Sequence, residues 1–221
     1  MLARSRARNT LTQRYTRAVA PRAHRETEIK LRIADLPALV RNLRRLRARC
    51  LGRVLERNTL FDTPDSDLRR RGRLLRVRVE TPARSRLIPA GRRRAWITSK
   101  TPVEPLGRPL YKEKLECECQ IDPRRDWIAA FGAIGFRPGF RYEKFRTSFR
   151  LGSLHLDLDE TPVGTFLEIE GVPRAIDRLA RTLGFSPRDY IRGTYWDLYA
   201  ADCHRRGRIP RNMLFRAKKV G

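Results

Sequence analysis

Long hydrophobic runs are missing from this 221-residue chain. No segment approaches the roughly 18 consecutive apolar residues that a membrane-spanning helix needs. No apolar stretch follows the basic N-terminus as a secretory signal requires. The expectation is a soluble, cytoplasmic protein that does not meet a membrane. Cysteine is sparse and unpatterned: Cys50, Cys117, Cys119 and Cys203 form no CxxC pair and no zinc-ligand spacing. Neither a disulfide-stapled scaffold nor a zinc site is expected, and the four read as free thiols in a reducing compartment. Acid is scarce as well, with 24 Asp and Glu against 50 Lys and Arg and a formal charge of +26, a balance that favours polyanionic partners. Apolar residues still make up 40% of the chain, which excludes a wholly disordered basic polymer, and the length suffices for a core.

The shortage of acid is most severe at the ends. Residues 1–25 hold seven arginines and no Asp or Glu, and residues 203–221 hold seven Lys or Arg and none. Residues 1–25 share the Arg-rich, acid-free composition of an organellar transit peptide, but read as a disordered arm or an over-extended start. Residues 203–221 read as a basic tail able to touch RNA or another polyanion through phosphate neutralisation. The domain proper is expected over residues 26–202.

Within it, alternation with a period of two marks strands at about 25–33, 54–62, 73–81, 94–101, 109–121, 139–150, 153–160 and 164–171. Eight strands are enough to close a barrel. Asp35 is placed to cap a helix with the stripe Leu36, Leu39, Val40, Leu43 and Leu46. Pro123 and Asp126 open a second, with Trp127, Ile128, Phe131 and Ile134, and Pro173 opens a third, with Ile176, Leu179, Ala180 and Leu183. A last helix covers about 187–202, weakened by Gly193. Strands joined by turns, rather than alternating βα units, predict an α+β fold: an antiparallel sheet with amphipathic helices packed outside it.

Residues i, i+2 and i+4 of a strand share a face. Glu26, Glu28 and Lys30 therefore oppose Thr27, Ile29 and Leu31, and Arg76 and Arg78 oppose Leu75, Val77 and Val79. The same division sets Lys114, Glu116 and Glu118, Lys144 and Arg146, Asp157 and Asp159, and Glu168 and Glu170 against apolar neighbours. One such strand is an ordinary wet face. Four strands with carboxylate pairs are different, because carboxylates about 6.6 Å apart repel unless a cation lies between them. If the sheet closes with the charged faces inward, both signs line a tunnel and the apolar faces meet the helices. Such carboxylates suit Mg²⁺ or Mn²⁺, and the cations suit phosphate oxygens, which points to metal-assisted phosphate chemistry.

The residues also carry a resemblance. The ExExK run Glu26-Thr27-Glu28-Ile29-Lys30 is followed by Leu60-Phe61-Asp62-Thr63-Pro64-Asp65, Leu75-Arg76-Val77-Arg78, Thr98-Ser99-Lys100, and Lys114 with Glu116 and Glu118. Then come Arg141-Tyr142-Glu143-Lys144-Phe145-Arg146, Asp157-Leu158-Asp159 and Gly164-Thr165-Phe166-Leu167-Glu168-Ile169-Glu170-Gly171. Over residues 26–202 this series resembles the CYTH domain. That is the triphosphate tunnel metalloenzyme superfamily, which includes class IV adenylate cyclases, thiamine triphosphatases and inorganic tripolyphosphatases. The resemblance implies an eight-stranded antiparallel barrel around a triphosphate, with a divalent metal. It implies metal roles for Glu26, Glu28, Glu168 and Glu170, with Asp157, Asp159, Glu116 and Glu118 as further ligands. Phosphate contacts fall to Lys30, Arg76, Arg78, Lys100, Lys114, Lys144 and Arg146, and Lys30 and Arg78 are the catalytic candidates. Many relatives have Tyr where this chain has Leu60, so no tyrosine role carries over there.

Some residues read more simply. Asp62 and Asp65 flank Pro64 in a turn, which favours side-chain to backbone bonding over metal binding. His24, His155 and His204 lack ligand spacing, and His155, although it shares parity with Asp157, reads as a surface or packed histidine. Trp96, Trp127 and Trp196 read as core. The stretch 81–92 is a long basic loop without a functional reading. Hydrolysis of a small-molecule triphosphate is the favoured reaction. The alternatives are a class IV-type cyclase turning ATP into cyclic AMP and pyrophosphate, and a nonenzymatic polyanion or RNA binder.

Overall fold

The computed structural model describes residues 23–83, 92–103 and 110–216. Most of the 1–25 arm, most of the 81–92 loop and the last five residues lie outside them. Eight strands run in chain order as β1 His24–Ile33, β2 Arg49–Asp62, β3 Leu74–Pro82, β4 Arg94–Pro102, β5 Lys112–Ile121, β6 Arg137–Leu151, β7 Leu154–Thr161 and β8 Gly164–Glu170. Every neighbouring pair is antiparallel, and the sheet closes in the order β1-β5-β4-β3-β2-β6-β7-β8. The expected barrel is therefore present.

The helices are α1 Leu36–Arg45, α2 Asp67–Arg70, α3 Trp127–Ala133, α4 Pro173–Thr182 and α5 Tyr195–Arg205. Asp35 caps α1 by accepting from the Ala38 amide at 2.8 Å, and Asp126 caps α3 in the same way from Ala129 at 3.0 Å. Leu39 and Leu43 of α1, and Ile176, Leu179 and Ala180 of α4, bury the outward Ile29, Leu31, Leu156, Leu158, Leu167 and Ile169 of β1, β7 and β8. That core explains why those strands alternate so cleanly, since each has carboxylates on one face and helix contacts on the other. Helix α3 departs from expectation: Ile128 and Ile134 are exposed, and Phe131 makes the main contact, 4.9 Å from the Phe61 ring. The helix expected at 187–202 is split into a 3-10 turn, Pro187–Asp189, and α5. The reason is a capping box beside Gly193, in which Thr194 and Asp197 satisfy each other's backbone amides and start the helix afresh.

Two features correct the sequence reading of the interior and the tail. The inward face is not charged throughout, because Tyr142 and Phe166 also point in and form a second core with Tyr195 and Met213. Residues 203–216 also do not trail away: Cys203 is buried on α5, and Met213 is fully buried. The Met213 amide donates to Arg141 O at 3.0 Å and its carbonyl accepts from the Glu143 amide at 2.9 Å. This supplies a partner to the part of β6 before Phe145, where the pairing with β7 begins. The surrounding positive charge hides that anchor in the sequence. Met213→Ala is expected to lower stability by about 2–5 kcal/mol, the usual cost of truncating a buried methionine. Chemical denaturation checks this, and a change under 0.5 kcal/mol, the range of surface substitutions, would show the segment to be peripheral.

Candidate active site

Closing the barrel places the charged face of every strand around one cavity of about 880 Å³. A smaller cavity of about 290 Å³ opens toward the other end, and the two share Arg78, Arg146, His155 and Asp157 in their walls. Of the predicted site residues, all but Asp159 line the larger cavity. Asp159, on the same face of β7 as Asp157, is fully buried and does not line it.

Arg146 is the hub between the cavities. It reaches Asp157 and Asp159 at 2.6 Å, Glu168 at 2.5 Å and Glu56 at 3.5 Å. Lys144 meets Asp159 at 2.7 Å and Glu56 at 3.5 Å, and Arg78 meets Glu56 at 3.5 Å and Glu80 at 3.7 Å. Glu56, fully buried, is thus the common counter-ion of three cations of the site. Burial pushes its pKa up, but Arg78, Lys144 and Arg146 outweigh that and hold it well below the usual carboxylate range. Its Oε1 has no hydrogen-bond partner, so the pull is Coulombic rather than geometric.

On the β1 side, Lys30 lies 3.3 Å from Glu168, donates to Gly193 O at 3.3 Å and sits 4.1 Å from the Tyr195 ring centroid. Burial lowers its pKa despite Glu168. Glu168 is held well below its usual range: burial raises it, and Lys30, Lys144 and Arg146 prevail. Tyr195, at the start of α5, donates its hydroxyl to Asp159 at 2.6 Å, so that helix is tied into the tunnel floor.

Toward β4 and β5, Lys100 bridges Glu26 at 2.5 Å and Glu116 at 2.7 Å, and Lys112 meets Glu28 at 2.8 Å. Thr98 donates to Glu118 at 2.6 Å and accepts from Arg76 at 3.1 Å. Lys114 instead turns to Gly72 O at 3.1 Å, leaving its charge at the rim. Glu170 faces Glu28 across the β1/β8 ladder, and burial together with Glu26 and Glu28 raises its pKa. Glu26, Glu28 and Glu170 are hard oxygen donors of the kind a divalent cation takes, with Lys100 and Lys112 standing against the first two. Among the described residues, no three carboxylate, histidine or thiol groups already stand at metal-binding spacing.

Sequence reasoning missed Glu56, Lys112, Tyr142 and Tyr195. Lys112 continues the parity of Lys114, Glu116 and Glu118, so its signal was present. Glu56 shares a face with Val54, Asn58 and Leu60, and that mixed set carries no alternation to follow. Asp62 behaves as expected of a turn residue: its carboxylate accepts from the amides of Thr63, Leu68 and Arg69 and seats α2. His155 is neither a surface nor a core histidine. It lines both cavities with Nε2 3.1 Å from Asp157, a contact that raises its pKa. Trp196 is not core either, since it stands in the cavity wall at one mouth.

A family model described as the CYTH domain matches residues 24–195. Among solved structures, a candidate adenylate cyclase from Vibrio parahaemolyticus aligns at 18% identity with a TM-score of 0.67, covering 80% of this chain and 98% of its own. The PH1012 protein from Pyrococcus horikoshii aligns at 23% identity and a TM-score of 0.61, covering 78% and 98%. The Hippeastrum adenylyl cyclase candidate HpAC1, described as having a dominant triphosphatase activity, aligns at 22% and 0.52, covering 84% and 97%. At these identities the likeness establishes the fold. No curated protein matches the chain.

Proposed function

Because the chain belongs to the CYTH family, we propose that it hydrolyses the terminal phosphoryl group of a triphosphate with the help of a divalent cation. The observation that carries this reading is the closed barrel that gathers Lys30, Arg76, Arg78, Lys144 and Arg146 around one cavity, each within reach of carboxylates. Inside the rim the two signs are nearly balanced, so the cavity has little surplus positive charge for a polyanion. A triphosphate would enter favourably only with cations of its own, which supports a metal-dependent activity over plain polyanion binding.

Glu26, Glu28 and Glu170 are the residues that would hold such a cation; when bound it supplies charge neutralisation and orientation of the phosphates. Arg76, Arg78 and Arg146 present planar forks able to grip two phosphate oxygens each, and Lys144 adds a point charge. Lys30, buried beside Glu168, adds a second point charge in the cavity wall. The hydrogen bond from Tyr195 to Asp159 and the Asp159 contacts to Lys144 and Arg146 keep the two cations aimed inward. A cyclase, the activity named for two structural neighbours, would call on the same cations here with a ribose hydroxyl in place of water as the attacker.

Incubating the purified protein with tripolyphosphate and with ATP, each with Mg²⁺ or Mn²⁺, is expected to release orthophosphate, and EDTA is expected to stop it. Cyclic AMP with pyrophosphate as the main products from ATP would overturn hydrolysis. Glu28→Gln and Glu170→Gln are expected to weaken Mn²⁺ binding, read by titration calorimetry, by at least about tenfold. Unchanged affinity in both would reject the carboxylate assignment.

A further inference from the structure

The two openings of the tunnel differ in how their charges are matched. Every Lys or Arg in the wall of the smaller cavity faces a carboxylate: Arg78 lies 3.5 Å from Glu56, Arg94 3.6 Å from Glu80 and Arg146 2.6 Å from Asp157. The deep cations of the larger cavity are matched too, Lys30 with Glu168, Lys112 with Glu28 and Lys144 with Asp159. The mouth of the larger cavity is different. It opens where β2 and β4 finish and β3 and β6 begin, and Arg69, Arg73, Lys114 and Arg211 line it without a carboxylate partner among the described residues. Two carboxylates share that mouth, but Asp62 is spent on three backbone amides and Asp197 on the capping box of α5.

Arg211 is the least expected of the four, because the family model ends at residue 195 and this arginine follows it. Its backbone is nevertheless held. Beside it, Asn212 Oδ1 accepts from the Arg141 amide at 2.9 Å, and Met213 pairs with β6 through both its backbone groups. The strap thus fixes the position from which the exposed Arg211 side chain reaches the mouth. Arg73 comes from the turn between α2 and β3, and Lys114 of β5 donates to Gly72 O beside it at 3.1 Å. Arg69 has less to offer, since its guanidinium already lies 5.1 Å from the Trp196 ring centroid. A triphosphate carrying one divalent cation keeps a net negative charge. Unmatched cations around an opening draw such an anion in, whereas closely matched pairs present little net field.

We propose that Arg73, Lys114 and Arg211 form a docking collar that captures the triphosphate, so that substrate enters by this mouth rather than the smaller one. Arg211 is then a substrate-binding residue supplied from outside the family's domain. This rests on the triphosphate reading above and adds the route by which that substrate reaches Arg76, Arg78 and Arg146. The collar acts through charge on the arriving anion, so it governs capture and leaves the chemical step alone.

The test compares Arg73→Gln, Arg211→Gln and their double variant with the wild type on tripolyphosphate and Mg²⁺, with Arg94→Gln as the same loss of charge at the smaller mouth. At low ionic strength kcat/KM is expected to fall about 3- to 10-fold in each collar variant, through KM with kcat unchanged, and further in the double. The difference from the wild type is expected to close at about 1 M salt, where the Debye length is about 3 Å. Arg211→Lys keeps the wild-type value, because capture needs the charge and not the fork, and Arg94→Gln stays within about twofold. Unchanged kcat/KM in the double variant overturns the collar. A loss that persists at high salt overturns it too, since it marks a structural role for these arginines. An equal loss in Arg94→Gln overturns entry by one mouth. Wild-type protein that does not turn over tripolyphosphate fails the triphosphatase reading instead. Titration calorimetry with tripolyphosphate and Mg²⁺ then still decides the collar, by whether the Arg73 and Arg211 variants lose affinity at low salt while Arg94→Gln does not.

Discussion

Arg78→Ala is expected to lower triphosphate turnover by about 10²–10³-fold, the usual loss when one aimed donor is removed from a site that stabilises developing charge. Arg78 is placed for this: its guanidinium lies in the wall shared by both cavities, with Nε 3.4 Å from Asn58 Oδ1 and the rest of the group 3.5 Å from Glu56. Those two partners fix the plane of the fork toward the tunnel. Arg78→Lys restores the charge without the fork and is expected to recover only part of the rate. The fold should survive both changes, because Glu56 keeps Lys144 and Arg146, each at 3.5 Å. Turnover and thermal unfolding measured on the same two variants separate the cases. Full activity in Arg78→Ala would remove Arg78 from the phosphate clamp and reject the inward-facing site.

The largest effect on stability belongs to a residue with no proposed part in the chemistry. Glu56→Gln keeps the shape of the side chain but removes the anion that Arg78, Lys144 and Arg146 share, leaving their buried charge to Glu80, Asp157, Asp159 and Glu168. Breaking a buried ionic network from one side costs about 3–5 kcal/mol, and that is the loss expected here. The pH dependence has a definite sign. The folded pKa of Glu56 lies below the 4.5 of the free side chain, so its stabilising contribution is complete above about pH 4.5 and is lost as pH falls toward the folded value. The unfolding free energy of the wild type should therefore drop with acidification below about pH 4.5 more steeply than that of Glu56→Gln. Denaturation of both proteins across pH 3–7 tests this. A variant within 0.5 kcal/mol of the wild type at pH 7 would show that the three cations are balanced by the other carboxylates alone.

The contrast between these two residues shows which parts of the protein could be read without its structure. Arg78 was legible because β3 alternates strictly, Leu75, Val77 and Val79 against Arg76 and Arg78, and alternation needs only neighbours in the chain. The same local rule revealed Glu26, Glu28, Lys30, Lys144, Arg146, Glu168 and Glu170, the bounds of most strands, and the caps Asp35 and Asp126. Glu56 was not legible. Its importance arises from β2 lying between β3 and β6, which sets it across from Glu80 on one side and Lys144 on the other. Met213 was hidden for a related reason: one apolar side chain among basic residues has no periodicity, and its partners, Tyr142, Phe166 and Tyr195, come from three distant parts of the chain.

By itself, then, the amino-acid order determined the strands, the inward and outward faces and the charge signs of the tunnel wall, because each of these repeats within a few residues. The tertiary structure alone decided which carboxylate neutralises which cation, that α5 and Met213 pack on the barrel with Tyr195 on Asp159, and that Trp196 stands in the cavity wall at one mouth rather than in the core. Those outcomes depend on strand order and register around a closed sheet, and on a C-terminal segment returning to β6. They are contacts between residues far apart in the chain, set by the closure of the barrel as a whole, and no local pattern encodes them.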